Sequence, residues 1–248
     1  MKKIAIFLII NLFISSNAFS EVKDCFEKVN RATFAFNQSL DKVIFEPIAK
    51  GYRKLPSPVR KGTGNVLSNI SNLVTIPNNI LQGDVKTAGL NTARLTINTT
   101  VGIFGIFDVA KHMGLVTDYK KEDYGQTLGS WGVGEGCYLV IPIIGPSTTR
   151  DLVGTATSIL GGDPWYNITV KNDTKYFTES DYYISKGGDG VNFRAKNIES
   201  FDNLEKNSMD FYASVRSLYL QDRKKKISNS DNITETQDDS DWDEIKSN

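Results

Sequence analysis

Apolar positions recur every three or four residues through much of the chain, the spacing of one face of an α-helix. Across 26–45 they fall at 26, 29, 34, 36, 40, 43 and 44, and Pro47 is expected to interrupt that helix. Ser57-Pro58 sets a capping residue before a proline at the first helical position. It opens a second helix to about residue 73, with Val66, Leu67, Ile70 and Leu73 on its apolar face. Pro77 and Gly83 then bracket a turn, and Asp84 caps a third helix to about residue 100. The longest pattern spans 194–226, with Ile198, Phe201, Leu204, Met209, Tyr212, Val215 and Tyr219 in one stripe. Its basic end, 223–226, suits the negative pole of a helix dipole. Strand signals are scarce: 138–144 and 166–170 carry β-branched and aromatic residues, but both are short and proline-flanked. Residues 171–192 show no clear period and read as an irregular insertion. The pattern predicts an all-α single domain with few or no strands.

Two stretches break the helical rhythm. Residues 101–107 read VGIFGIF and stop at Asp108; residues 138–144 read YLVIPII and lead into Gly145-Pro146. Before the second, Gly132, Gly134 and Gly136 alternate, so the chain can bend sharply there. Thr149 to Asp151 then opens a helix, with Arg150 and Asp151 as candidate polar groups at its mouth, or alternatively as a surface ion pair. The segment reads as a bent apolar loop (Tyr138, Leu139, Ile141, Pro142, Ile143) feeding a polar opening, which suits passage of an amphipathic molecule. After the leader no stretch reaches the ~18 apolar residues of a membrane-spanning helix. Both apolar pieces are therefore either core or elements dipping into one leaflet, with Ile103, Phe104, Ile106 and Phe107 as membrane-facing candidates.

The ends change the picture of where the chain works. Lys2 and Lys3 precede an apolar run at 4–14 and then Ala18-Phe19-Ser20, the layout of a secretory signal cleaved after Ser20. The mature domain is expected at 21–226, followed by an acidic tail at 227–248 that is too polar to order itself. That tail's carboxylates could hold a divalent cation loosely or simply be solvated. With 29 basic and 29 acidic residues the chain gives no reason to expect nucleic acid as a partner. Cys25 and Cys137 are the two cysteines, and an exported compartment permits a disulfide. A bond closing so long a loop would contribute about 4–5 kcal/mol; two buried thiols is the other reading.

Catalysis finds little footing. The single histidine, His112, lies after a helix end with no G-x-S-x-G elbow to supply a nucleophile. Gly132-x-Gly-x-Gly136 has its third glycine one residue too close for a dinucleotide fingerprint, and no clustered ligands suggest a metal outside the tail. No enzyme and no cofactor is expected.

Several ordered motifs carry a resemblance. FEKVNRATFAFN at 26–37, PNNILQGD at 77–84, RLTINTTVGIFGIFD at 94–108, DYGQTLGSWGVGEG at 123–136 and the glycine-to-Arg-Asp run at 132–151 resemble the VacJ/MlaA family of outer-membrane phospholipid-asymmetry proteins. The likeness covers roughly 26–160, with a weaker match at 194–223. It implies a helical ring lying in the inner leaflet of the outer membrane. Such a ring would be a passive conduit returning mislocalised phospholipids toward the inner membrane, with the glycine hinge as its gate. It also implies a trimeric outer-membrane porin and a soluble periplasmic lipid-binding protein as partners. Two departures stand out. Cys25 follows Val22-Lys23-Asp24, a poor lipoprotein signal, which puts the family's lipid anchor in doubt, and Cys137 stands where the family often has proline. A soluble periplasmic lipid carrier or a porin-associated scaffold is the alternative. The direction in which 101–107 and 138–144 point separates the readings.

Overall fold

The computed structural model describes residues 22–115, 119–172 and 176–228. The expected signal segment, 1–20, and nearly all of the expected acidic tail, 227–248, lie outside the described residues. The described chain is helical apart from one small hairpin.

Helix α1 (Glu27–Leu40) runs through a π-turn (Asp41–Phe45) directly into α2 (Glu46–Arg53). Pro47 therefore does not end the first helix. The N–H of Glu46 reaches back five residues to Asp41 O, and this widened turn accommodates the proline ring and its missing donor. Helix α3 (Ser57–Leu81) begins where Ser57-Pro58 predicts, but Pro56 rather than Ser57 is the capping residue and no side chain caps it; the helix carries straight through Pro77. A mid-helix proline costs about 3 kcal/mol. Hydrogen bonds made by the buried side chains on both sides of it offset that cost: Thr75 meets the Tyr119 hydroxyl at 3.0 Å, Asn78 accepts from Thr127 at 2.6 Å, and the Asn78 side chain donates to Val74 O at 2.8 Å. The expected turn at 77–83 shrinks to Gln82-Gly83. Helix α4 (Val85–Thr100) starts at Asp84, whose carboxylate accepts from Thr87 N at 3.0 Å.

Short helices α5 (Val109–His112) and α6 (Tyr124–Ser130) are capped by Asp108 and Asp123. The apolar 138–144 loop is half strand: β1 (Tyr138–Ile141) pairs antiparallel with β2 (Gly145–Thr148), Tyr138 opposite Thr148 and Ile141 opposite Gly145. Thr148 then caps α7 (Thr149–Thr157). Residues 166–170, read above as a possible strand, are helical, spanning the end of α8 (Pro164–Tyr166) and a π-turn (Asn167–Lys171). The supposed irregular insertion holds helix α9 (Glu179–Lys196), opened by a Thr178/Asp181 capping box. Its three glycines at 187, 188 and 190 dilute the periodic signal. The 194–226 stripe is not one helix. It breaks at Asn197 and again at 208–210, dividing among α9, α10 (Ile198–Asn207) and α11 (Phe211–Ser228).

These elements touch in a closed circuit, as a ring requires. α1 packs on β1, β2 on α11, α11 on α6, α6 on α3, α3 on α9, α9 on α2, and α2 continues α1.

Candidate functional site

The distribution of polarity is inverted relative to an ordinary helical domain. Among the described residues, buried polar and charged side chains far outnumber buried apolar ones, while large apolar side chains are exposed on nearly every element. The polar interior centres on the α3–α4 pair. Asn69, Asn72, Thr75, Asn78 and Asn79 line one face of α3, and Asn91, Arg94 and Asn98 line the facing side of α4. Asn91 donates to Asn79 at 2.9 Å and Asn69 to Thr99 at 2.9 Å, so amide side chains fill the seam that leucines usually fill. Arg94 pairs with Asp108 at 2.6 Å and lies over the Tyr119 ring at 4.5 Å; Asn98 donates to the other Asp108 oxygen. The Tyr119 hydroxyl meets Thr75 at 3.0 Å, and burial pushes its pKa up. Both amide atoms of Asn72 and Nε of Arg94 are buried without a hydrogen-bond partner. Sequence reasoning followed the apolar stripe and missed this set. The signal available was asparagine and threonine at helical spacing, 69, 72, 75, 78–79 and 91, 94, 98.

The apolar tips point outward. Ile103 is 54 % exposed and Phe104 72 %, and Ile106 and Phe107 join them on the same turn. Ile143 and Ile144 at the hairpin tip are 65 % and 71 % exposed. Ile103, Phe104 and Ile143 all hold positive φ (52°, 54° and 69°), a costly conformation for bulky and β-branched residues. Around 103–104 the turn is fixed by backbone bonds from Phe104 N to Thr99 O (3.0 Å), Gly105 N to Asn98 O (2.8 Å) and Phe107 N to Gly102 O (3.0 Å). Asn65 donates to Ile106 O at 3.0 Å, and a Cβ on Gly102 would lie 2.3 Å from Phe107 O. The structure therefore spends strain to present apolar groups to the outside.

The two halves of YLVIPII have different fates. Tyr138 and Val140 are buried against Tyr212, with Phe34, Tyr219 and Leu220 around them. Leu139 and Ile141 are half-buried, and Pro142 to Ile144 form the exposed tip. The outer edge of β1 is tied to α1 by two asparagines. Asn30 donates to Tyr138 O (3.0 Å) and accepts from Val140 N (2.9 Å). Asn37 donates to Ile141 O (2.9 Å) and accepts from Ile143 N (2.7 Å). Seven helical residues rise about 10.5 Å and three strand residues span about 10 Å, so the two spacings match. This is a physical reason for asparagines at both positions of the 26–37 motif.

Of the hinge glycines, Gly132 (φ 87°) and Gly136 (φ 71°) occupy the left-handed region, whereas Gly134 does not. A Cβ at Gly136 would press on Thr149 at 2.9 Å; Gly134 has nothing within 4 Å. Arg150 spans the segment, its N–H donating to Glu135 O (3.2 Å) and its guanidinium to Val133 O (3.4 Å). Cys25 and Cys137 are joined in a disulfide, Cα to Cα 5.6 Å, which settles that choice against two free thiols.

Arg150 and Asp151 are not a surface pair. Both are buried, 3.2 Å apart, and Asp151 also receives Arg223 at 2.8 Å and the Tyr219 hydroxyl at 2.6 Å. Arg223 reaches on to Asp123 at 2.7 Å. Burial alone would raise both aspartate pKa values, but Arg223 prevails, leaving Asp151 lowered and Asp123 at about 2. Burial raises the pKa of neighbouring Glu122, opposed by a hydrogen bond from Gln82 at 2.9 Å. His112 only closes its own turn, Nδ1 lying 2.7 Å from Asp108 O. Among the described residues no group of His, Cys, Asp or Glu could hold a metal, and no helix is long and apolar enough to cross a membrane.

Known proteins resemble this chain in sequence and fold. The family described as MlaA lipoprotein matches residues 22–226. An uncharacterized protein of Rickettsia bellii is 37 % identical over 213 residues, covering 85 % of this chain and 79 % of that one. The intermembrane phospholipid transport system lipoprotein MlaA of Haemophilus influenzae is 30 % identical over 218 residues, 84 % of this chain and 80 % of its own. Its Escherichia coli namesake is 31 % identical over 204 residues, 80 % and 76 % respectively. A solved structure described as the structural basis for maintenance of bacterial outer membrane lipid asymmetry superposes with a TM-score of 0.69 at 31 % identity. The match covers 83 % of this chain and 99 % of that one. With the family matched from the first described residues to within two of the last, this chain belongs to the MlaA lipoprotein family.

Proposed function

We propose that the protein works in phospholipid transport that maintains outer-membrane lipid asymmetry, as a passive conduit rather than an enzyme. The observation that carries the reading is the inversion of polarity: an amide-lined interior inside a closed helical circuit, with strained apolar tips turned outward. A phospholipid needs a wet path for its head and an apolar margin for its tails. Exposing tails to water costs about 0.8 kcal/mol per methylene. A ring seated in the periplasmic leaflet of the outer membrane, with 101–107 and 142–144 in the acyl layer, meets both needs. The unpaired polar atoms of Asn72, Arg94 and Arg150 are groups that a head group or its water could satisfy once the path opens. Transport runs from the outer leaflet toward the periplasm and inner membrane. A trimeric outer-membrane porin steadies the ring, and a soluble periplasmic lipid-binding protein accepts the cargo. Export by a signal cleaved after Ser20, and attachment through the fold and the porin rather than through lipid on Cys25, complete the reading.

Gating belongs to 132–136. The hairpin beyond it is held by Asn30, Asn37 and the disulfide, so the moving part is shorter than the 132–146 loop that the sequence suggests. The test is Gly134→Pro. Nothing crowds that position, so the fold should persist while outer-leaflet phospholipid accumulates in cells carrying the variant. Normal lipid distribution with a folded, outer-membrane-located variant would refute gating at this segment. Recovery of the wild-type protein as a soluble periplasmic species, free of porin, would instead favour the carrier reading.

A further inference from the structure

The disulfide sits at a mechanically telling place. Cys137 is the first residue after the glycine segment and Cys25 the residue before α1 begins its first turn, 112 positions apart in sequence. Cys25 is exposed and Cys137 half-buried, so a thiol reagent can approach from the Cys25 side. Exposed disulfides are the ones that exchange readily. One hydrogen bond joins the two cysteine segments directly, and two more pair Cys137 with Thr149 across the base of the hairpin. Tyr138 N donates to Lys23 O at 2.9 Å, Thr149 N to Cys137 O at 2.9 Å, and Cys137 N to the Thr149 hydroxyl at 3.2 Å. From Tyr138 onward the restraint is shared with α1, because Asn30 holds Tyr138 O and Val140 N and Asn37 holds Ile143 N. Of the restraints on the root of the gate, the disulfide alone can be removed by chemistry without altering the sequence.

We propose that Cys25–Cys137 is a redox-sensitive latch that sets how far the 132–136 segment can move; its consequence for transport rests on the conduit reading, its chemistry does not. A protein or small-molecule dithiol reduces it by exchange. The Sγ–Sγ bond breaks, Cys25 and Cys137 each leave as a thiol, and the donor supplies two electrons and two protons while closing its own disulfide. Cys137 is then free of Cys25 and the mobile segment lengthens to include it, loosening Tyr138 N from Lys23 O. Asp24 stays on Asn30 and Tyr212, Val22 O on Arg216, and the rest of the hairpin on α1.

Hydrogen exchange on the intact mature protein in detergent tests this. Three samples are compared: oxidised, reduced with dithiothreitol, and Cys25→Ser/Cys137→Ser. In the reduced and double-serine samples the amides of Tyr138, Thr149 and Arg150 should exchange about tenfold faster or more, with Val140, Ile143 and the α3–α4 pair unchanged. Unchanged exchange at 138, 149 and 150 would overturn the latch. So would an even rise over α3 and α4, which marks a general staple. Failure of dithiothreitol to expose both thiols to a maleimide in the folded protein would overturn its switchability. Phospholipid transfer measured on the same samples separates the two ideas: a loosened gate with unaltered transfer keeps the latch and discards the conduit.

Discussion

Asp151 gathers Arg150, Arg223 and Tyr219 from two helices distant in sequence, and almost none of the group reaches solvent. Removing one charge from such a cluster leaves its partners buried without compensation, a loss of about 3–5 kcal/mol. Asp151→Asn should therefore lower the midpoint of denaturant unfolding substantially, whereas Asp222→Asn, on the partly exposed Lys226 pair, should change it little. The acid limb follows from the same residues. Asp123 and Asp151 titrate lower in the folded protein than in the unfolded chain. Their contribution is complete above the unfolded value near 3.8 and is lost as pH falls toward about 2, where Asp123 protonates. Unfolding midpoints measured from pH 5 to 2 should fall through this window, and less steeply in Asp151→Asn. In sequence, Arg150 and Asp151 were visible as a motif, but Arg223 read only as the basic end of a helix. A partner 72 residues away leaves no local pattern.

At the scale of elements, the 101–107 turn depends on two glycines for different reasons. Gly105 takes φ 90°, and Gly102 lies under the backbone, with Phe107 O 2.3 Å and Asn98 O 2.5 Å from any added Cβ. Gly102→Ala must push the turn off α4 and should swing Phe104 and Ile103 out of register. Gly89→Ala, in open space on the same helix, should be neutral or slightly stabilising. Loss of membrane association in Gly102→Ala with retained helical circular dichroism is the expected result; unchanged association would show that the turn's shape is unimportant. The starts of α4 and α7 were legible because capping chemistry is local, and that of α3 because proline favours the first helical turn. The ends were not. Pro47 and Pro77 ordinarily stop helices, but a π-turn absorbs one and tertiary hydrogen bonds to the asparagines beside the other offset its cost. Helix α9 was hidden by glycines that dilute its period, and the 194–226 stripe concealed two breaks because apolar residues continue across Asn197 and the 208–210 link.

For the whole molecule, the question is what the outward apolar groups meet, and substitution at the tips answers it without disturbing the fold. Phe104 and Ile144 are more than two-thirds exposed, so replacing them by aspartate removes little buried area and should shift stability by no more than about 0.5 kcal/mol. At Phe104 the change even eases the backbone, since aspartate tolerates positive φ better than phenylalanine. If the tips lie in the acyl layer, each substitution exchanges a favourable apolar burial for a charge. Membrane partitioning should then fall by at least about tenfold per site. Flotation of the purified Phe104→Asp/Ile144→Asp protein with vesicles of outer-membrane phospholipids measures this directly. The double variant should remain at the bottom of the gradient while the wild type rises, with thermal midpoints within a few degrees of each other. Equal flotation would mean that the tips face protein rather than lipid, and the leaflet-embedded ring would have to give way to an assembly held together by its partner alone.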